Sequence, residues 1–197
     1  MTQGNFLARV SKGVVVTAGI VFLGALLSGA GLMAEQEEET SALLAKLPQS
    51  KHSLADGIKQ AEKEEGVAIS AKFEMEGDEL SLSVYTAKPG RSTDAEHNTL
   101  VELSANPTTD QWKPKKEVFE DKAHIARASM HVTLMQLTKL TLADVVQKAA
   151  AQQPGTVYAV IPAIRDGKPV FDVLVATPDH KSVHVTLDLH TGEVIKK

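Results

Sequence analysis

Apolar and polar positions along the chain form one pattern that occurs twice. From Ser53, the apolar residues Leu54, Ile58 and Ala61, with Ala55 beside them, recur at three- and four-residue steps. Lys59, Glu62, Lys63, Glu64 and Glu65 fill the other positions, which predicts an amphipathic helix capped by Ser53, answered by Asp56 and stopped at Gly66. From Ile69 the period falls to two, with Ile69, Ala71, Phe73 and Met75 alternating against Ser70, Lys72, Glu74 and Glu76, the pattern of a strand with one wet face. Gly77-Asp78 predicts a hairpin turn into Leu80, Leu82 and Val84, and a third strand follows around Val101 and Leu103.

The segment Ser53-Leu54-Ala55-Asp56-Gly57-Ile58-Lys59-Gln60-Ala61 returns as Thr141-Leu142-Ala143-Asp144-Val145-Val146-Gln147-Lys148-Ala149. After it come Pro154-Gly155, a strand carrying Tyr158, Val160 and Ile164, the Asp166-Gly167 turn, an inward set Phe171, Val173 and Val175, and a third strand through Val183, Val185, Leu187 and Leu189. A repeat of this length is one structural unit made twice. The expected fold is α+β, two tandem copies of a helix packed on a three-stranded antiparallel sheet, joined by a linking helix.

Between the copies, Val118, Ile125, Ser129, Val132 and Gln136 lie at near-helical spacing without Pro or Gly, so the linker reads as a helix. Residues 131–137 also fit a short strand, and that alternative stays open. Leu134, Met135 and Leu137 are expected to pack between the copies.

The amino terminus is set apart from this pattern. Gly13 to Ala34 is an uncharged run of 22 residues preceded by Arg9 and Lys12 and followed by Glu35, Glu37, Glu38 and Glu39. It predicts an export signal or a single membrane anchor, and either reading leaves the remainder outside the cytoplasm, periplasmic or extracellular. The expected organisation is therefore signal or anchor at 1–34, an acidic spacer at 35–50, a first domain at 51–112, the linking helix at 113–140 and a second domain at 141–197.

Beyond residue 34 the chain carries 19 basic and 25 acidic side chains, a net charge of −6. A mildly acidic surface argues against nucleic acid as a partner. Cysteine is absent, so the domains depend on their cores rather than on disulfides. No Gly-x-Ser-x-Gly elbow and no His-Glu-x-x-His pair occurs, and the expectation is a protein that is not an enzyme and carries no cofactor.

The second copy resembles the PepSY domain. The likeness rests on Thr141 to Ala151, Pro154-Gly155, Val157 to Ile164, Asp166-Gly167, Phe171 to Val175, and above all on the closing run Val185-Thr186-Leu187-Asp188-Leu189-His190-Thr191-Gly192-Glu193-Val194. The first copy looks like a divergent member, with Ser104-Ala105-Asn106-Pro107-Thr108 where the Thr-Gly turn would fall. The resemblance implies an exported, non-catalytic module of the kind found in metallopeptidase propeptides, associated with inhibition or assisted folding. The tandem plan is also similar to that of the β-lactamase inhibitory protein. The implied partner is an envelope protein such as a secreted peptidase, with the membrane involved only through residues 13–34 if these are retained.

Two sets of residues are candidates for contact. Tyr85, on the outer face of its strand, and Trp112, in the irregular stretch after the first copy, are the candidate aromatic anchors for a partner, with partial burial against the linking helix as the alternative reading. His180, His184 and His190 cluster in sequence, and His184 shares an outer face with Thr186 and Asp188, a donor set suited to zinc or copper. The alternative function is thus metal or small-ligand handling, although strand neighbours two apart do not fix a coordination geometry and a solvated face is the simpler reading. Asp188 before Thr191-Gly192 is read as turn chemistry.

Overall fold

The computed structural model describes residues 30–195. The predicted export segment at 1–34 thus lies outside the described residues except for its last positions. Among the described residues no helix is long and apolar enough to cross a membrane.

The first copy runs α2 (Leu54–Glu65), β1 (Val67–Glu76), β2 (Glu79–Lys88) and β3 (Thr99–Ala105), and the second repeats the order as α4 (Leu142–Gln152), β5 (Thr156–Arg165), β6 (Lys168–Ala176) and β7 (Ser182–Asp188). Both helices begin with full capping boxes, Ser53 with Asp56 and Thr141 with Asp144, each Ser or Thr side chain and Asp side chain satisfying the other's backbone amide. In both copies the first strand carries a bulge just after its start, between Ala68 and Ser70 and between Val157 and Ala159. The fold class expected from the pattern, α+β with antiparallel sheet, is the one observed.

The two copies share one sheet. With a further strand β4 (Lys115–Val118) at one edge, its order is β4-β3-β2-β1-β5-β6-β7, every pair being antiparallel, and β1 meets β5 through Ala71↔Val160 and Lys72↔Ala159. On one face lie α2 and α4, in contact with each other and with their own strands. Beneath them Phe73, Leu82, Val84 and Leu103 of the first copy and Val160, Phe171, Val173 and Leu187 of the second are buried, as the alternation predicts.

Three segments depart from the expectation. The acidic spacer is helical: α1 (Ala30–Lys46) runs through it, meets β1, and with the turn after it buries Leu43, Leu44 and Leu47. The linker opens as a strand, β4 (Lys115–Val118), before α3 (Lys122–Gln136), which is helical through the stretch that also fitted a strand. Helix α3 buries Val132, Leu134 and Met135, whereas Leu137 stays outside, 52% exposed. Finally, the polar face of the first copy is not wet. Ser70, Glu74, Ser81 and Ser83 are all buried, and α3 packs against β1 and β5 with the His131 ring on the Ser70 hydroxyl at 3.1 Å.

Gly66 and Gly155 occupy matching corners, each with positive φ, where the helix hands over to the first strand. A Cβ at Gly66 would run into the carbonyl of Ala87, and one at Gly155 into that of Ala176. Gly167 also has positive φ but faces open space. Gly155→Ala is therefore expected to destabilise by roughly 2–3 kcal/mol and Gly167→Ala by about 1 kcal/mol, read from urea midpoints. Equal losses would show that the helix-strand corner is looser than described.

Candidate binding surface

On the sheet face away from α2 and α4, the second copy gathers one group of charged side chains from its three strands. Asp172 on β6 accepts from Arg165 Nε on β5 at 2.8 Å and from His184 Nε2 on β7 at 2.9 Å, with Arg165 Nη2 also on the same carboxylate. The carboxylate is buried while the side chains of Arg165 and His184 remain 37% and 40% exposed. Burial acts to raise the Asp172 carboxyl, but the bonds from His184 and Arg165 outweigh it and hold it below its ordinary range. The result is a fixed anion presenting two polar cationic or donor groups outward.

The corresponding face of the first copy is more enclosed. Lys72 and Glu74 form an ion pair, and Lys72 Nζ lies 5.9 Å from the centroid of the Tyr85 ring. Burial raises the Tyr85 phenol, and the Phe119 ring packs on it with centroids 5.5 Å apart. Burial also raises the neighbouring Glu102 carboxyl. His131, shut in by α3 and β1 and with Arg127 nearby, is pushed down to about 4 by loss of water.

The structure corrects the reading of Trp112 as an exposed anchor. Its residue is 2% exposed, the indole Nε1 donates to the Ala105 carbonyl at 3.3 Å, and its own carbonyl accepts from Gln60 Nε2 at 2.9 Å. It belongs to the buried core. Tyr85 is half-buried beneath Phe119, so it too is chiefly a packing residue.

Nor do the three histidines converge. His180 sits exposed on the β6–β7 turn with positive φ, His184 is taken by Asp172, and His190 Nδ1 lies 2.9 Å from the Leu137 carbonyl. Asp188 does form the turn read from sequence, its Oδ1 accepting the amides of His190 and Thr191, each at 2.9 Å. Those bonds hold its carboxyl below the ordinary value, the Thr191 amide first among them. The one group of potential metal ligands that meets among the described residues is elsewhere, Asp94, Glu96 and His97, all exposed and with ligand atoms within 4.8 Å of one another. Its only sequence signal is the closeness of the three in a loop.

Residues 139–197 match the family model described as PepSY, peptidase propeptide and YPEB domain. The second copy carries the match to PepSY. The matched stretch spans the capped helix, all three strands and the Asp188 turn, so the PepSY boundaries coincide with the structural unit from α4 onward. A crystal structure of a "putative lipoprotein" from Clostridium difficile 630 is similar at 15% identity and a TM-score of 0.39, over 75% of this chain and 92% of that one, a likeness too slight to carry fold or function across. No curated protein matches the sequence.

Two measurements test this description. In the unfolded chain a histidine takes up its proton near 6.5, whereas folded His131 does so only near 4. Between those values the unfolded state binds a proton that the folded state refuses, so stability is complete above the upper value and falls as the pH drops through the window, by roughly 3 kcal/mol. His131→Gln should be less stable at neutral pH yet lose this slope, and an unchanged slope would place the titration elsewhere. Trp112→Ala should cost about 3–5 kcal/mol in urea unfolding, the loss of a buried aromatic, where an exposed anchor would cost almost nothing.

Proposed function

We propose that the chain is an exported, non-catalytic binding module that regulates another protein of the cell envelope, with a secreted peptidase as the first candidate. The observation that carries this reading is the family match over residues 139–197, since the family description is that of a peptidase propeptide. The uncharged run from Gly13 to Ala34 behind Arg9 and Lys12 supports export. The Arg165, Asp172 and His184 group supports binding. Its cationic and donor atoms are held by a buried carboxylate rather than by flexible stems, so a partner that uses them loses little side-chain entropy.

In this reading the partner is occluded by surface contact rather than altered by chemistry. A stable contact needs roughly 800 Å² from each side and a few fixed anchors. The rigid sheet, with α3 strapped to it, offers one continuous support for such an area. Separate small domains would have to be ordered against each other first.

Affinity capture from an envelope fraction with the mature protein should recover a peptidase, and adding the purified protein should slow that peptidase on a protein substrate. Arg165→Gln combined with His184→Gln retains donors for Asp172 while removing the outward cation. It should reduce capture about fivefold with only a small change in melting temperature. Recovery of nothing above background, or equal capture by the double variant, would remove this face from the proposal.

A further inference from the structure

A second surface, separate from the Arg165 group, lies at the far edge of the sheet. Where β4 ends, a groove of about 720 Å³ opens between the strand, the 3₁₀ turn Ala95–His97 and the first half of α3. Leu100, Val118, Phe119 and Ile125 supply its apolar lining, and its charged lining residues are Asp94 and Glu96, with no lysine or arginine among them. Val118 and Ile125 are 46% and 40% exposed, so the groove shows water large aliphatic surface that the fold has not covered.

Both walls are fixed before anything binds. The Asn98 side chain accepts from the Gly90 amide at 2.8 Å and donates to the carbonyls of Thr93 at 2.7 Å and Asp94 at 3.0 Å, and Gln136 Nε2 also donates to Thr93 at 2.9 Å. Opposite, Asp121 caps α3 by accepting the amides of Ala123 and His124, and the Phe119 ring stacks on His124 at 5.1 Å. Prepared walls reduce the ordering that an occupant must offset.

The strand beside the groove is itself half-paired. Among the described residues strand β4 has a single neighbour, β3, and the Phe119 amide donates to the Leu100 carbonyl. Alternation along an antiparallel ladder then turns the backbone groups of Lys115 and Glu117 toward β3 and those of Lys116 and Val118 outward. An open edge with outward amides is a template for an extended chain.

We infer that this edge and groove bind a short extended peptide segment of another protein, which adds beside β4, seats a large apolar side chain between Val118 and Ile125, and answers Asp94 and Glu96 with lysine or arginine. Acidic residues at the groove are disfavoured by those two carboxylates, and purely polar ones leave the aliphatic lining wet. The inference does not depend on which protein the Arg165 face engages.

The test is fluorescence anisotropy with EDTA present. The probe is a labelled peptide in which lysine and leucine alternate in one half and threonine and valine in the other. Wild type should bind it saturably. Replacing the peptide lysines with glutamate, combining Asp94→Lys with Glu96→Lys, or changing Ile125→Asp should each weaken binding about tenfold. Val118→Pro, which removes an outward amide and leaves the β3 ladder intact, should weaken it about fivefold, whereas Arg165→Gln with His184→Gln should leave it unchanged. Equal binding of the glutamate peptide, wild-type binding by the Asp94 and Glu96 variant, or no saturation up to about 1 mM would overturn the assignment. Self-association of the wild type that the same variants abolish would give the groove to a second copy of the chain and overturn it as well.

Discussion

The pairing of β1 with β5 is the contact on which the rest of the molecule depends. A three-stranded sheet under one helix has two unpaired edges and a core near the lower limit of self-sufficiency. Joining the first strands of the two copies removes one open edge from each and brings α2 against α4, so that two marginal cores become one. The seam also decides where α3 can go. Packed against both β1 and β5, it crosses the line where the copies meet and ties them from the opposite face.

That crossing explains why the polar face is polar and nevertheless buried. Ser70 is enclosed because His131 reaches it from α3, and the ring stays neutral there because charge would have to be desolvated. Among the described residues the buried Ser81 hydroxyl has no hydrogen-bond partner, nor has that of Thr86 on the opposite face beside Leu82 and Val84, each an expected loss of about 1–3 kcal/mol. Such groups are poor stabilisers.

Features fixed by neighbouring residues were legible in the chain. The Ser53 capping box, the alternation that buries Phe171 and Val173, and the Asp188 turn depend on residues a few positions apart, and each was found as read. The misreadings have long-range causes. Lys115–Val118 has no apolar alternation and is a strand only because β3 offers it a ladder. The run Glu37 to Glu39 gave a solvated appearance to a helix whose buried face, Leu43 and Leu44, begins only after it. Trp112 belongs to no periodic segment, so its place under α2 could not be inferred from spacing. The Arg165, Asp172 and His184 group was missed for the same reason, since its members come together only when β6 lies between β5 and β7.

Divergence between the copies has consequences at their outer edges. In the second copy the Asp188 turn sends Val194 back beside β7, where it bridges Leu187, and the Ile195 amide donates to the Thr186 carbonyl at 2.9 Å, so the chain covers part of its own edge. In the first copy Asn106 stands at the end of β3, and its Oδ1 accepts the Thr108 amide at 2.9 Å, an Asx turn that does not fold the chain straight back. Instead the chain reaches Trp112, returns as β4 and passes into α3. The same unit therefore ends with a self-covered edge in one copy and with an added open strand beside a groove in the other. What distinguishes the two halves chemically is not the conserved plan of helix and sheet but the turn that follows the third strand.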